Sequence, residues 1–250
     1  MYIKERFEKI SEYLKTHKKA TVEELSALLY VSPATIRRDL GEMQSLGIIA
    51  RTHGGALYIE DSEETSIFVR LDKNARDKES TAMIAMHHLP LFQTAFIDNS
   101  STCFALVKLM SLEHKTVITN GLQLALTLSQ QENIEIIMPG GEVRFNTSAV
   151  SGSLACNTVA DFRPDITLCS CAAIDENGVY EHSIDSCEFK KAALKASKKR
   201  ILLADRTKFG HTTTYRTCSL AAFDAIYTNA DDRTVAPLRE KGLTVFNSTR

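Results

Sequence analysis

Two adjacent guanidinium side chains, Arg37 and Arg38, follow closely on Ser32-Pro-Ala-Thr35. A guanidinium is planar and always charged, and it can fork onto guanine O6 and N7 or clamp a phosphate. Arg51 and His53, just ahead of Gly54-Gly55, add donors suited to a nucleic-acid backbone, an attraction that weakens with salt. A second chemistry is offered by Asp98-Asn-Ser-Ser-Thr102. If a helix opens there, the hydroxyls of Ser100, Ser101 and Thr102 and its free N–H groups converge on the positive end of a helix dipole, which suits a phosphate. Lys208, within Asp205-Arg-Thr-Lys-Phe-Gly210, would add a cation to the same crevice. Each cluster also has a plainer reading: a helix cap, an exposed lysine, or the solvated face of a protein-interaction helix. Asp98 and Asp175 can be read as a carboxylate pair for proton abstraction, but their spacing shows no base placed near a carbon acid.

The remaining reactive side chains suggest little. Six cysteines (Cys103, Cys156, Cys169, Cys171, Cys187, Cys218) contain no C-x-x-C pair and read as small buried hydrophobes in a reducing compartment. Cys169 and Cys171 would share one face of a strand, with His182 the one further metal ligand nearby, so neither a metal site nor a cofactor is expected. His87, His88 and His114 read as surface or structural residues.

With 250 residues, 44% hydrophobic and 24% charged, the chain is an ordinary globular one and long enough for one large domain or two unequal ones. Its start, MYIKERFEK, has no apolar segment of the secretory kind, and the uncharged stretch 82–97 is interrupted by His87, His88, Pro90 and Gln93. A cytoplasmic protein without a membrane span is expected. The net charge of −1 gives no overall signature of nucleic-acid binding, and residues 1–60 carry nine Lys/Arg against eight Asp/Glu. Any basic face must therefore be local.

The elements that position these residues change character near residue 60. A helix 2–16 carries Ile3, Phe7, Ile10 and Leu14 at helical spacing, and Thr21-Val-Glu-Glu24 is a capping box for a helix 22–29. After the turn Tyr30-Val31, Ser32 caps a third helix, Pro33 takes its first position, and the helix runs to Leu46 before Gly47. With Ile36, Leu40 and Met43 buried, Arg38 and Ala34 face the other way and Arg37 and Thr35 lie on the flanks, the arrangement a recognition helix needs. Strands 48–51 and 56–59 complete a winged helix-turn-helix over residues 1–59. Residues 60–77 read as a linker anchored around Phe68. From 78 to 250, strands near 94–97, 116–118, 134–138, 166–171, 200–204, 225–228 and 243–246 alternate with helices. This is the pattern of an α/β domain with a doubly wound, mostly parallel sheet, whose ligands bind at the carboxyl ends of the strands.

The wording of the third helix and wing carries further information. Val31-Ser-Pro-Ala-Thr-Ile-Arg-Arg-Asp-Leu40, then Gly47 and Arg51-Thr-His-Gly-Gly-Ala56, strongly resembles the DNA-binding domain of DeoR-type bacterial repressors. The pattern there is V-S-x-x-T-I-R-R-D-L followed by R-x-H-G-G-A. The resemblance implies that Ser32, Thr35, Arg37 and Arg38 belong to a DNA-reading helix, and we add Thr21, Arg51 and His53 to the DNA-binding set. It extends over the larger domain, which in this family looks like ribose-phosphate isomerase. The family stretches D-x-G-T-T, T-N, G-G-x-x-R, G-I-D and D-x-S-K-F-G correspond here to Asp98–Thr102, Thr119-Asn120, Gly140–Arg144, Ala173–Asp175 and Asp205–Gly210.

The resemblance implies a phosphorylated sugar or polyol as effector, with Asp98, Ser100, Ser101, Thr102, Asn120, Gly140, Gly141, Arg144, Asp175 and Lys208 as its binding set. Ser100 and Ala173 stand where the family has glycine, Cys169-Ser-Cys171 replaces a smaller run, and Ser186 takes an acidic position ahead of Lys190-Lys191. Ser100 would either add a hydrogen bond or narrow the pocket. The expected protein is a repressor of carbohydrate-metabolism genes, binding double-stranded operator DNA as a homo-oligomer. The alternatives are an isomerase-like enzyme with a DNA-binding domain, or a regulator whose large domain only oligomerises. A shared fold does not carry activity with it, so an enzyme is not expected.

Overall fold

The computed structural model describes residues 2–45, 48–58, 66–144 and 147–249. The chain divides into two compact units, Met1–Val69 and Arg70–Arg250.

In the first unit, helices α1 (Ile3–His17), α2 (Val22–Leu29) and α3 (Pro33–Ser45) enclose a core of Ile10, Leu14, Leu25, Leu29, Ile36, Leu40 and Met43. Strands β2 (Ile49–Thr52) and β3 (Gly55–Tyr58) form the wing. A strand the sequence did not suggest, β1 (Lys19–Thr21), pairs with β3 to give the antiparallel order β1-β3-β2. That pairing requires a glycine at 55, because a β-carbon there would lie 2.0 Å from the Ala20 carbonyl oxygen. The expected helix end at Leu46-Gly47, the last wing residue Ile59 and residues 60–65 of the expected linker lie outside the described residues. Most of the rest of that linker is helical: α4 (Ile67–Asp72) is followed, after the turn Lys73-Asn74, by α5 (Ala75–His88). The expected anchor, Phe68, is 36% exposed, and its neighbour Ile67 is the buried residue at 1%.

The second unit is built on a seven-stranded parallel sheet of β4 (Thr94–Ile97), β5 (Thr116–Ile118), β6 (Glu135–Ile137), β9 (Ile166–Cys169), β12 (Lys199–Leu203), β14 (Ala225–Tyr227) and β15 (Val245–Phe246). Five shorter strands fall between or beside these: β7 (Glu142–Arg144) pairs with β8 (Ala149–Ser151), and β10 (Ala173–Asp175), β11 (Gly178–Glu181) and β13 (Tyr215–Cys218) form a small antiparallel sheet. Alternation along β4 sends Ala95 and Ile97 to one face, under α5, α6 (Ser101–Val107) and α7 (Leu122–Leu128). Phe96 points to the other, under α8 (Ser153–Ala160) and α9 (Ile184–Ala196), while α10 (Asp232–Glu240) packs with Leu202 and Ile226. The strand order is β15-β14-β12-β9-β4-β5-β6. The chain steps one way from β4 through β5 to β6, then returns to the far side of β4 with β9 and continues outward. The order reverses between β4 and β9, and such a reversal opens a crevice at the carboxyl ends of the two strands.

Candidate nucleic-acid interface and ligand crevice

On α3 the sequence-chosen residues cluster in the first two turns. Ser32 caps the helix: its Oγ accepts the Thr35 N–H at 3.2 Å and lies 2.9 Å from the Thr35 hydroxyl. Arg38 is exposed and has no hydrogen bond or ion pair among the described residues. Arg37 is more than half exposed, 3.7 Å from Glu23, a separation at which an exposed pair contributes little. Its carbonyl accepts a bond from Arg51 Nη1 at 3.1 Å, which ties the wing strand to α3, while Arg51 Nε is buried without a partner. The expected capping box is present: Thr21 Oγ1 accepts from Glu24 N–H at 3.1 Å, and Thr21 N–H donates to Glu24 Oε2 at 2.7 Å. Thr21 also pairs with Gly55, beside the turn that displays the exposed His53.

The sequence reading passed over the residue that seats this helix. Asp39 is fully buried and completes the stripe Ile36, Leu40, Met43 on the core side. Its two carboxylate oxygens accept Arg6 Nε at 2.6 Å and Nη2 at 2.8 Å, bridging α3 to α1. A carboxylate at the i+3 position of an apolar stripe demands a cation, and that was the available signal.

In the second unit the reversal between β4 and β9 is closed by Asp98. Its Oδ1 accepts the Ser100 N–H at 3.1 Å, its Oδ2 accepts the Ser170 N–H at 3.0 Å, and Lys190 Nζ lies 3.3 Å from it. Lys190, also buried, donates to the Glu181 carboxylate and to the Ser170 carbonyl. Burial alone would lower this ammonium's pKa, and the carboxylates of Glu181 and Asp98 outweigh it, holding it well above the ordinary lysine range. Neither Lys190 nor Glu181 was singled out as a site residue from the sequence.

The other expected ligand residues divide into groups whose hydrogen-bonding capacity is committed and groups left open. Ser100 Oγ caps α6 by accepting the Cys103 N–H at 3.1 Å, and its backbone (φ −93°) is one that any residue adopts, so no glycine is needed there. Thr102 and Ser101 are buried, and Thr102 Oγ1 accepts from the Ser170 hydroxyl at 3.3 Å. Gly140 and Gly141 lead into β7. At Gly141 (φ +146°) a β-carbon would lie 2.5 Å from the Ser151 carbonyl oxygen, so this glycine serves the hairpin. Arg144 is paired with Asp185 at 2.5 Å. Asp175 closes the β10–β11 turn, accepting the N–H groups of Asn177 and Gly178 at 2.8 and 3.0 Å and Asn177 Nδ2 at 3.1 Å. Burial raises its pKa, and these bonds outweigh that and lower it. Asp98 and Asp175 are thus both engaged with the protein's own donors, not paired as a proton-abstracting set.

Two groups remain open. Asn120 is 8% exposed; its Nδ2 donates to the Val150 carbonyl at 3.3 Å, while its Oδ1 is buried without a partner. Lys208 is half-buried and makes no hydrogen bond or ion pair through its side chain among the described residues. Its loop lies against β10, with the Gly210 N–H donating to Ile174 at 3.0 Å.

The Lys208 loop also grips the start of α5. Asn74 Nδ2 donates to Thr207 Oγ1 at 3.1 Å, and Arg206 Nε lies 2.9 Å from Asp77. Asn229 joins them, accepting the Arg206 N–H at 2.7 Å and donating to Asp77 at 2.9 Å. Lys78, buried, donates to the carbonyls of Arg70 and Lys73 at the end of α4, and burial pushes its ammonium down to about 8. The cysteine thiols are free, and burial pushes Cys171 up to about 12 and Cys218 to about 11. At those values they act as small hydrophobes. Among the described residues no helix is long and apolar enough to cross a membrane.

A winged helix-turn-helix ahead of a larger α/β unit is an arrangement suited to a DNA-binding regulator, and comparison with known proteins makes the class specific. The family model for the DeoR-like helix-turn-helix domain matches residues 6–62, and that for the DeoR C-terminal sensor domain matches 73–230. Relatives include the HTH-type transcriptional regulator GolR of Listeria innocua, 34% identical over 92% of this chain and 91% of that protein. The glycerol-3-phosphate regulon repressor of Escherichia coli is 32% identical over 90% of each chain, and the HTH-type transcriptional repressor GlcR of Bacillus subtilis 30% identical over 92% of this chain and 89% of its own. The chain belongs to the DeoR family of transcriptional regulators. Ribose 5-phosphate isomerase A from Neisseria gonorrhoeae aligns over 54% of this chain and 53% of its own at 14% identity and a TM-score of 0.38, a likeness too loose to carry a functional argument.

Proposed function

We propose that this regulator is a cytoplasmic repressor of carbohydrate-metabolism genes, and that a phosphorylated sugar or polyol bound in the second unit sets its operator occupancy. The observation that carries the reading is Lys208, a cation without a partner on the loop that follows β12. A dianionic phosphate supplies what that ammonium lacks. Asn120 Oδ1, a buried acceptor without a donor, suits a ligand hydroxyl. The loop's bonds to Asn74 and Asp77 give the ligand a route to the segment beside α4, the helix that carries the chain from one unit to the next. The ligand acts only through a difference in affinity for the DNA-competent and incompetent arrangements. We read the second unit as a sensor without turnover, because Asp98 and Asp175 are both engaged within the protein. A homodimer or larger assembly on paired half-sites follows from the few base contacts one small winged helix makes.

Calorimetric titration of the full chain with glycerol 3-phosphate and a panel of sugar phosphates tests the ligand. The wild type binds at least one of them without converting it, and Lys208→Ala loses that binding. Silence across the panel would leave oligomerisation as the large unit's role, and measurable conversion would make it an enzyme.

A further inference from the structure

Tyr30, in the turn between α2 and α3, is 95% exposed, and its flanking residues are not: Leu29 is 3% exposed and Val31 packs against the core. The turn around it is held firmly. The Tyr30 N–H donates to the Ser26 carbonyl, Val31 N–H reaches the same carbonyl at 3.3 Å, and Ser26 Oγ donates back to the Val31 carbonyl at 2.5 Å. Tyr30 closes α2 in the left-handed conformation, φ +54° and ψ +41°. An L-residue with a β-carbon is strained there, glycine avoids the strain, and asparagine tolerates it better than an aromatic residue does. The position therefore combines a strained backbone with a large side chain that buries almost nothing and whose ring and hydroxyl have no partner among the described residues. Neither packing nor local geometry accounts for a tyrosine. Backbone strain of this kind persists where surrounding structure holds it and where function uses it.

The placement supplies the use. Two residues later Ser32 caps α3, whose first turns carry Thr35, Arg37 and Arg38. The N-terminal turns of a recognition helix enter the major groove, so a side chain projecting just ahead of the cap stands over the phosphate rim of that groove. We propose that Tyr30 is an additional DNA-contacting residue, its phenol hydroxyl donating a hydrogen bond to a backbone phosphate. A contact of this type fixes register and orientation and carries no base information. Because the donor is neutral, it adds affinity without releasing a counterion of its own.

The test uses the full-length protein and a duplex selected by the wild type from a random-sequence pool, with binding read by fluorescence anisotropy and stability by thermal melting. Tyr30→Phe is expected to weaken binding about tenfold, the low end for a lost hydrogen bond to a charged group, with the melting temperature and the salt slope unchanged. The same factor should be lost on an unselected duplex. Tyr30→Asn should weaken binding as much while raising the melting temperature through relief of the strain, a pair of opposite changes that a structural residue does not give. A Tyr30→Phe protein with wild-type affinity overturns the proposal, as does a loss confined to the selected sequence. Stability and affinity falling together in Tyr30→Asn overturns it as well.

Discussion

Asp39 and Arg38 are neighbours on α3 with opposite fates: the carboxylate of Asp39 is buried against Arg6, 2.6 Å from its Nε, and the guanidinium of Arg38 stands in solvent. The buried pair bridges α1 and α3 and fixes the rotation of α3 about its axis, which decides that Arg38 faces outward. Removing one partner from such a pair strands a buried charge and costs about 3–5 kcal/mol. Asp39→Ala and Arg6→Ala should therefore lower the urea midpoint of the first unit sharply. The double variant Arg6→Met/Asp39→Leu should recover most of that loss. A single variant melting like the wild type would remove the pair from the fold's support.

Arg38→Ala should weaken operator binding by about 1–3 kcal/mol and relax discrimination at one base pair, as expected for loss of a bidentate guanine contact. Quantitative footprinting on the selected duplex and its single-base variants reads both effects. Unchanged affinity would exclude Arg38 from base recognition.

Lys208→Ala should leave DNA binding without ligand intact and abolish ligand-induced release. Its side chain has no partner within the described protein, so its removal breaks nothing there. Normal release in this variant, measured by anisotropy during ligand titration, would place the anion elsewhere.

Asn74→Ala/Asp77→Ala cuts the bonds between the Lys208 loop and the start of α5. Ligand affinity by calorimetry should change little, while the ratio of operator affinities with and without ligand should fall toward one. A preserved ratio would show that occupancy is transmitted by another route.

Asp165 provides a pH test of the sheet's support. Its carboxylate accepts from Lys198 at 2.8 Å and from the N–H groups of Gln93 and Thr94 at 3.0 Å each, and the lysine bond, followed by the backbone bonds, holds its pKa far below the ordinary carboxylate range. A depressed carboxylate stabilises the fold fully above its unfolded pKa of about 3.9, and that stability is lost as the pH falls toward the folded value. Asp165→Asn should melt lower than the wild type at neutral pH, and the gap should narrow as the pH drops from about 5 toward 2. A gap independent of pH would refute the charge-based account.

The architecture was legible where side-chain period and length were strong. The stripe Ile36, Leu40, Met43 announced α3, and the runs at 94–97 and 200–204 announced buried parallel strands. The short strands β1, β7, β8, β10, β11 and β13 were not legible: they lie outside the parallel sheet and lack the apolar runs that marked its equally short strands, and some partners are remote, as with Glu181 against Tyr215. In the ligand crevice, residue types were visible but not what each group was already bound to. Asp175 and Arg144 had suitable chemistry, yet one closes a hairpin turn and the other is paired with Asp185. Lys190 was hidden for the opposite reason: a lysine on a helix reads as solvated until the fold buries it between Asp98 and Glu181.

That burial also gives the crevice a polarity. Below β4 and β9 the ammonium of Lys190 is held between the carboxylates of Asp98 and Glu181, whereas the neighbouring strand end at β12 presents Lys208, whose side chain has no partner among the described residues. On the function proposed above, an elongated guest would turn its phosphate tip to Lys208 and its hydroxyl tip toward the Asp98–Lys190–Glu181 cluster, and so be sorted head from tail before any shape is matched.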